Sequence, residues 1–164
     1  MSINTAVIGS RLAGSSVVFS ILDVLASVGR DWAMLHGIPA AEPIFEVSLR
    51  TLDGAPYWDV NGRKITPDAM LDEAPVPDVI IVPDMLFAPE TGLPDDFASL
   101  ANWIGDAHAR GAIVASVCSG AVLLGMAGVL DGKEATTHWG YADMLGRDFP
   151  TVNVCRERIL VPAG

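Results

Sequence analysis

Basic residues are scarce in this chain: 10 Lys and Arg stand against 20 Asp and Glu, a formal net charge of −10. A surface of that sign repels phosphate backbones, and no Lys/Arg cluster interrupts it, so these residues are not expected to contact nucleic acid. Cysteine is scarcer still, limited to Cys118 and Cys155 with no CxxC pair. That excludes a disulfide framework and a zinc pattern, and no three-ligand metal cluster is expected. The glycines of Gly9-Ser10-Arg11-Leu12-Ala13-Gly14 lack GxGxxG spacing, so no nucleotide cofactor, and no cofactor of any other kind, is expected. No apolar run reaches the ~18 residues of a membrane span. The N-terminal MSINTAVIGS has no basic patch ahead of an apolar segment, so no signal peptide is read there. A reducing, cytoplasmic setting without membrane contact is therefore the default.

What remains is rich in apolar residues (51%) and poor in charge (18%), over 164 residues. That describes one globular domain with a sizeable core. Ile3 to Gly9 reads as a first strand. Val17, Val18, Ile21, Leu22, Val24, Leu25 and Val28 recur at helical spacing, and Gly29 should end that helix. Asp31 to Gly37 can add a helical turn before Pro39 and Pro43 forbid continuation. Ile44 to Arg50 reads as strand, and Asn61-Gly62 between Tyr57–Val60 and Arg63–Thr66 is a hairpin signal. Val79 to Val82 is a short apolar strand. Residues 95–109 form an amphipathic helix with Phe97, Leu100, Ile104 and Ala107 on one face. Glu134 to Thr137, Val152 to Val154 and Ile159 to Val161 read as later strands, and Tyr141 to Leu145 as a short helix. Strands alternating with helices predict an α/β fold with a mostly parallel sheet.

The most informative stretch is AIVASVCSGAVLLGMAGVLDGKEATTHW, Ala112 to Trp139. Ala112 to Val117 reads as a buried parallel strand. Cys118 follows at an abrupt change of pattern, then Ser119, Gly120 and a helical apolar segment. Strand, lone nucleophile, helix start is the layout of a nucleophile elbow with Cys in place of Ser. The helix N-terminus offers N–H groups and partial positive charge to a thiolate, and Gly120 permits close helix approach. Ligand-binding residues of parallel sheets collect at the carboxyl ends of the strands. Gly9-Ser10, Pro83-Asp84-Met85, Cys118 and Thr137-His138 are thereby expected around one crevice, with His138 the imidazole partner for Cys118. His36 and His108 read as solvated, Trp139 as a core residue and Cys155 as structural.

The segment VASVCSGAVLLGMAGVLDGKEATTHWGYADML, followed by FPTVNV, resembles the PfpI/ThiJ-like domain (class I glutamine amidotransferase-like) of AraC-type transcriptional regulators. Its LxxAG(L/V)LDGxxATTHW pattern is specific, and the helix around Ser20–Leu25, FEVSLRTLDG, NGRKITPD and PDVIIVP are collinear with that group. The resemblance implies a flavodoxin-like three-layer sandwich and a homodimer. It implies a small-molecule effector pocket formed by Ser15, Ser16, Met85, Cys118, Ser119 and His138. It also implies that residues 1–164 are a C-terminally incomplete domain, the final strand and helix being absent. A helix-turn-helix domain downstream would then carry the DNA contact that this chain does not make.

Enzymatic members of that superfamily carry a carboxylate on the early helix, yet no Asp or Glu occurs before Asp23, which reads as a solvated helix residue. They also use a Gly-Gly loop to complete an oxyanion site, where this chain has Pro83-Asp84-Met85, with Asp84 adding negative charge. These departures favour effector sensing over turnover. The alternative is a stand-alone cysteine-dependent hydrolase or hydratase. There Cys118 would attack, His138 would shuttle the proton, and the N–H groups of Ser119 and Met85 would hold the oxyanion.

Overall fold

The computed structural model describes residues 2–39, 42–73 and 76–162. The ends of the expected domain, Met1 and Ala163–Gly164, lie outside the described residues. Five strands form one parallel sheet: β1 (Ile3–Ile8), β2 (Phe45–Thr51), β5 (Ala69–Met70), β6 (Val79–Val82) and β7 (Ile113–Ser116), in the order β5-β2-β1-β6-β7. The register sets Val7 beside Leu49 and Ile81, and Ile81 beside Ala115. Helix α1 (Ser15–Ser27) connects β1 to β2, with α2 (Arg30–Leu35) in the same crossover, and α3 (Phe97–Ala109) connects β6 to β7. The two crossovers leave the sheet centre in opposite directions, so right-handed connection puts α1 and α3 on opposite faces. Helix α4 (Ala121–Met126) packs beside α3. The result is the expected flavodoxin-like sandwich.

The core follows the apolar periods. Phe97, Leu100, Ile104 and Ala107 of α3 are all buried, as their spacing requires. Gly29 stops α1 and Gly111 ends the turn after α3, each at positive φ (79° and 104°), where only glycine sits without a Cβ clash. The Asn61-Gly62 hairpin forms, but its strands shrink to two residues each, β3 (Tyr57–Trp58) and β4 (Lys64–Ile65). Asp59 is the reason. Its carboxylate turns back into the loop to accept the N–H groups of Asn61 and Arg63, at 2.9 and 2.8 Å, where further strand pairing would otherwise run.

Three expectations need correction. Residues 159–161 are not a strand: Ile159 and Leu160 are 100% and 82% exposed, with no ladder partner among the described residues. The strand at 112–117 is not buried on both sides, because the sheet ends at β7, and Ile113 is 67% exposed. An apolar run encodes hydrophobicity but not whether a neighbour covers it. Finally, β8 (Glu134–Ala135) does not join the main sheet. It pairs in parallel with β9 (Asn153–Val154) in a separate two-stranded sheet, bracketing α5 (Ala142–Asp148).

Candidate functional site: a cysteine elbow on an open cavity

The order of the central strands reverses between β1 and β6, the place where parallel sheets usually hold ligands. Here the two loops close that crevice on each other. Leu86 N–H donates to Leu12 O at 2.8 Å, Ala13 bridges Met85, and the Asp84 carboxylate accepts the Gly14 N–H at 3.2 Å. The negative charge expected beside an oxyanion is thus turned onto the start of α1 instead. Tyr141 clamps the same loop from the other side, its hydroxyl donating to Phe87 O at 2.6 Å and accepting Phe87 N–H at 3.2 Å.

One strand further on, the elbow is present as read. Val117 N–H still donates to Val82 O at 2.9 Å, after which Cys118 takes φ +56°, the one positive φ of a non-glycine among the described residues. A side chain held in this left-handed region costs about 1–2 kcal/mol and persists only where its surroundings enforce it. The enforcement is visible. A 3₁₀ turn at Cys118–Gly120 leads into α4, and a Cβ on Gly120 would stand 2.7 Å from Val82 O and closer still to Pro83 O. The helix can meet β6 only because residue 120 is glycine. Cys118 is left exposed at the tip, a free thiol whose Sγ has no hydrogen-bond partner among the described residues.

Ser119 faces the opposite way. It is 3% exposed, and its hydroxyl forms a reciprocal pair with Met85, accepting Met85 N–H at 2.8 Å and donating to Met85 O at 2.7 Å. Met85 itself is fully buried. The Met85 N–H proposed as an oxyanion donor is therefore already occupied by its neighbour's hydroxyl.

Cys118 and His138 are brought together as lining residues of one open cavity of about 950 Å³. Its walls include Ile113–Val117 along the free edge of β7, Leu124 and Leu130 behind, and Glu134–Thr137 with Arg158–Pro162 opposite. Although β8 left the main sheet, the chain after it returns to the elbow: Thr137 Oγ1 donates to Cys118 O at 3.0 Å. No hydrogen bond joins Cys118 to His138 among the described residues. His138 Nδ1 accepts the Gly140 N–H at 3.1 Å, so in the neutral ring the proton sits on Nε2. Glu134, the carboxylate in the wall, is paired with Arg158 at 2.7 Å.

The other expected pocket residues stand elsewhere. Met85 and Ser119 are buried together, and Ser16 is exposed on α1. Ser15 is buried against the hairpin, accepting from Arg63 Nη1 at 3.3 Å. It also hydrogen-bonds Asp59, and that bond, with the N–H groups of Arg63 and Asn61 and the nearby guanidinium, holds the Asp59 carboxyl below the usual range. Burial, reinforced by Asp59, pushes the Tyr57 phenol up. Trp139, expected in the core, is 83% exposed, its ring tilted against His138 at 4.9 Å. His108 is half-buried in the cavity wall, Nδ1 at 3.1 Å from Ala112 O, and His36 is stacked on Trp32 at 3.8 Å. Cys155 is buried, as a structural thiol should be. Thr137 lines the cavity beside His138, where the strand-end rule put it, whereas Arg158 lies in a stretch without pattern and was missed by sequence reasoning.

A parallel α/β sheet with a strained cysteine at a strand-to-helix turn defines the class of cysteine-elbow sandwich domains. Within it, the DJ-1/PfpI family model matches residues 39–163, and the chain belongs to the DJ-1/PfpI family. Over 110 residues it is 37% identical to an isonitrile hydratase of Pseudomonas putida, covering 67% of this chain and 47% of that protein. Over 143 residues it is 31% identical to the HTH-type transcriptional regulator GbdR of Pseudomonas aeruginosa, covering 84% of this chain and 37% of the regulator. The chain thus spans less than half of either relative. Its fold also matches a crystal structure of an AraC family transcriptional regulator from Pseudomonas putida, with TM-score 0.73 at 19% identity over 97% of this chain and 79% of that one. A DJ-1 superfamily protein from Agrobacterium tumefaciens matches with TM-score 0.67 at 23% identity, over 100% of this chain and 79% of that one. Among the described residues no helix is long and apolar enough to cross a membrane.

Proposed function

We propose that this chain is the effector-sensing, dimerising domain of an AraC-type transcriptional regulator, acting on DNA through a helix-turn-helix domain elsewhere in the protein. The observation that carries the sensing half is the Ser119–Met85 pair. It occupies the N–H that acyl chemistry at Cys118 would need, while the thiol stays exposed on a cavity large enough for a small molecule. The apolar walls, with His138, Thr136 and Thr137 near the thiol, suit an effector with an apolar body and one hydrogen-bonding end. The similarity to a regulator over most of this chain supports the DNA-linked half. The part of the cavity lined by Ile113–Val117 runs along the edge of β7 that pairs with no strand among the described residues, and we assign it to a strand pairing with that edge, leaving the Cys118–His138 end for the effector. The net charge of −10 fits a domain that leaves DNA contact to another.

The reading is tested by a thermal-shift screen of small molecules on the full-length protein, wild type against Cys118→Ser and His138→Ala. Effectors that stabilise the wild type and lose that effect in the variants support it, as does a helix-turn-helix in the same reading frame. A reading frame without such a domain overturns it. A second reading, a cysteine-dependent hydratase or hydrolase, is favoured by the 37% identity to an isonitrile hydratase and by the strained Cys118 backbone. Turnover of isonitriles, amides or glyoxals that disappears in Cys118→Ser would establish it in place of the first.

A further inference from the structure

A second recess opens at the carboxyl ends of β1 and β2, beside the start of α3, and shares no lining residue with the cavity of Cys118. Its volume is about 210 Å³, the space of roughly seven waters at ~30 Å³ each. Strand ends of parallel sheets are where ligands collect, and Gly9 keeps this one open. The backbone there is not in the left-handed region and does not itself ask for glycine. A Cβ, however, would stand 2.9 Å from Thr51 Cγ2 and 3.2 Å from Tyr57 Cε1.

Two acceptors are left over at this recess. Thr51, the last residue of β2, is 6% exposed, and its Oγ1 has no hydrogen-bond partner among the described residues. Asp96 Oδ1 is likewise closed to solvent and unpaired. Three buried side-chain atoms are in that condition among the described residues, and two of them belong to this one recess, which marks it as a place where a donor is wanted. Asp96 stands at the N-cap of α3, where a carboxylate ordinarily accepts a helix N–H, yet it makes no capping bond. Its Oδ2 is 3.6 Å from Arg11 Nε, a long contact to an exposed side chain that is displaced at little cost. Asp53 adds a second carboxylate, one oxygen of which accepts the Ala55 N–H at 3.0 Å. Asp53 and Asp96 against Arg11 leave the lining at −1, within a chain of −10, so small cations are drawn here and anions repelled. An ammonium group answers both needs, having three N–H donors, a positive charge and no acceptor.

We infer that this recess binds a small aliphatic primary amine, whose ammonium group donates to Thr51 Oγ1 and Asp96 Oδ1 while its carbon stem lies against Leu52 and Leu100. Both acceptors are covered, so the amine enters as Arg11 swings off Asp96. The site stands apart from the Cys118 cavity and does not depend on the effector reading. The test is a calorimetric titration of the full-length protein with n-propylammonium chloride, against tetramethylammonium chloride, which has the same charge and no N–H, at constant ionic strength. The variants are Thr51→Val, which keeps the side-chain shape and suits a strand, Asp96→Asn, which keeps a good N-cap residue, and Cys118→Ser. A saturable propylammonium signal supports the proposal if tetramethylammonium gives none, if Thr51→Val and Asp96→Asn weaken it at least ~10-fold with unchanged circular dichroism, and if Cys118→Ser leaves it as it was. Amide shifts of the wild type during the same titration, at Gly9, Asp53 and Asp96 and not at Cys118, give a reading that needs no variant. Binding lost only in Cys118→Ser puts the amine in the other cavity and overturns the proposal. Equal signals from the two cations, which report charge screening, or no saturable signal up to about 100 mM, which leaves the recess to water, overturn it as well.

Discussion

Replacing Ser119 with Ala tests the closed elbow most directly. The substitution removes one hydroxyl and leaves Cβ in place, so shape barely changes. Two groups of Met85 then lose their partner at once, an N–H bonded at 2.8 Å and a carbonyl bonded at 2.7 Å, at a residue with no solvent exposure. Each buried group left unsatisfied costs about 1–3 kcal/mol, and a carbonyl tolerates it better than an N–H. The sum is about 2–4 kcal/mol, a large share of the ~5–15 kcal/mol that holds a domain folded. For a chain of this size 3 kcal/mol corresponds to a fall in Tm of roughly 6–12 °C. Urea denaturation followed by circular dichroism reads the free energy, and a thermal melt gives Tm independently. A loss under about 0.5 kcal/mol, the value of an ordinary surface change, would refute the reasoning. It would mean that Met85 N–H is free or hydrated in solution and available to an anion after all.

The remaining predictions concern the same framework. Gly120→Ala should destabilise by ~3 kcal/mol or more, since its Cβ meets the backbone carbonyls of Val82 and Pro83, which cannot rotate away; the loss of soluble, folded protein on expression measures it. Asp59 has a depressed folded-state pKa, so its contribution is complete above the unfolded value of about 3.9 and is lost as pH falls through the lower folded value. A Tm series from pH 6 to pH 2.5 should accordingly show a shallower acid limb in Asp59→Asn than in the wild type. Iodoacetamide should label Cys118 in the native protein and leave Cys155 unmodified until urea is added, read by intact mass. Thr137→Val should detach the chain before His138 from Cys118 O, raising hydrogen exchange at residues 136–140 while leaving α3 unchanged.

How much of this was visible beforehand depends on whether the relevant physics is local. The elbow was legible because strand, cysteine, small residues and helix start follow one another in sequence, and because a glycine had to sit where α4 meets β6. Asn61-Gly62 was legible for the same reason. The length of that hairpin was not, because it depends on Asp59, whose carboxylate is held by Ser15 on another element. The Ser119–Met85 pair spans two loops far apart in the chain, and nothing in either segment announces the other. Nor could the apolar run of β7 reveal that its outer side is uncovered, since periodicity reports hydrophobicity and the neighbour is a matter of topology. Trp139 was misplaced by the habit of assigning large aromatics to cores, whereas here it rides on a 3₁₀ turn at the surface.

The uncovered edge of β7 has one further consequence. Val117 and Ile113 donate their N–H groups inward, to Val82 O and Asp78 O, so Val114 and Ser116 turn theirs outward along the cavity. An apolar strand with free backbone groups is a template for pairing with any extended chain that reaches it. Where no strand covers that edge, long-range repulsion between strongly acidic molecules opposes the meeting of two such edges. That repulsion fades beyond about 10 Å at 0.1 M salt and about 3 Å at 1 M. The chain should therefore stay clear in dilute buffer and assemble into fibres as salt is added, whenever β7 is left without a neighbouring strand.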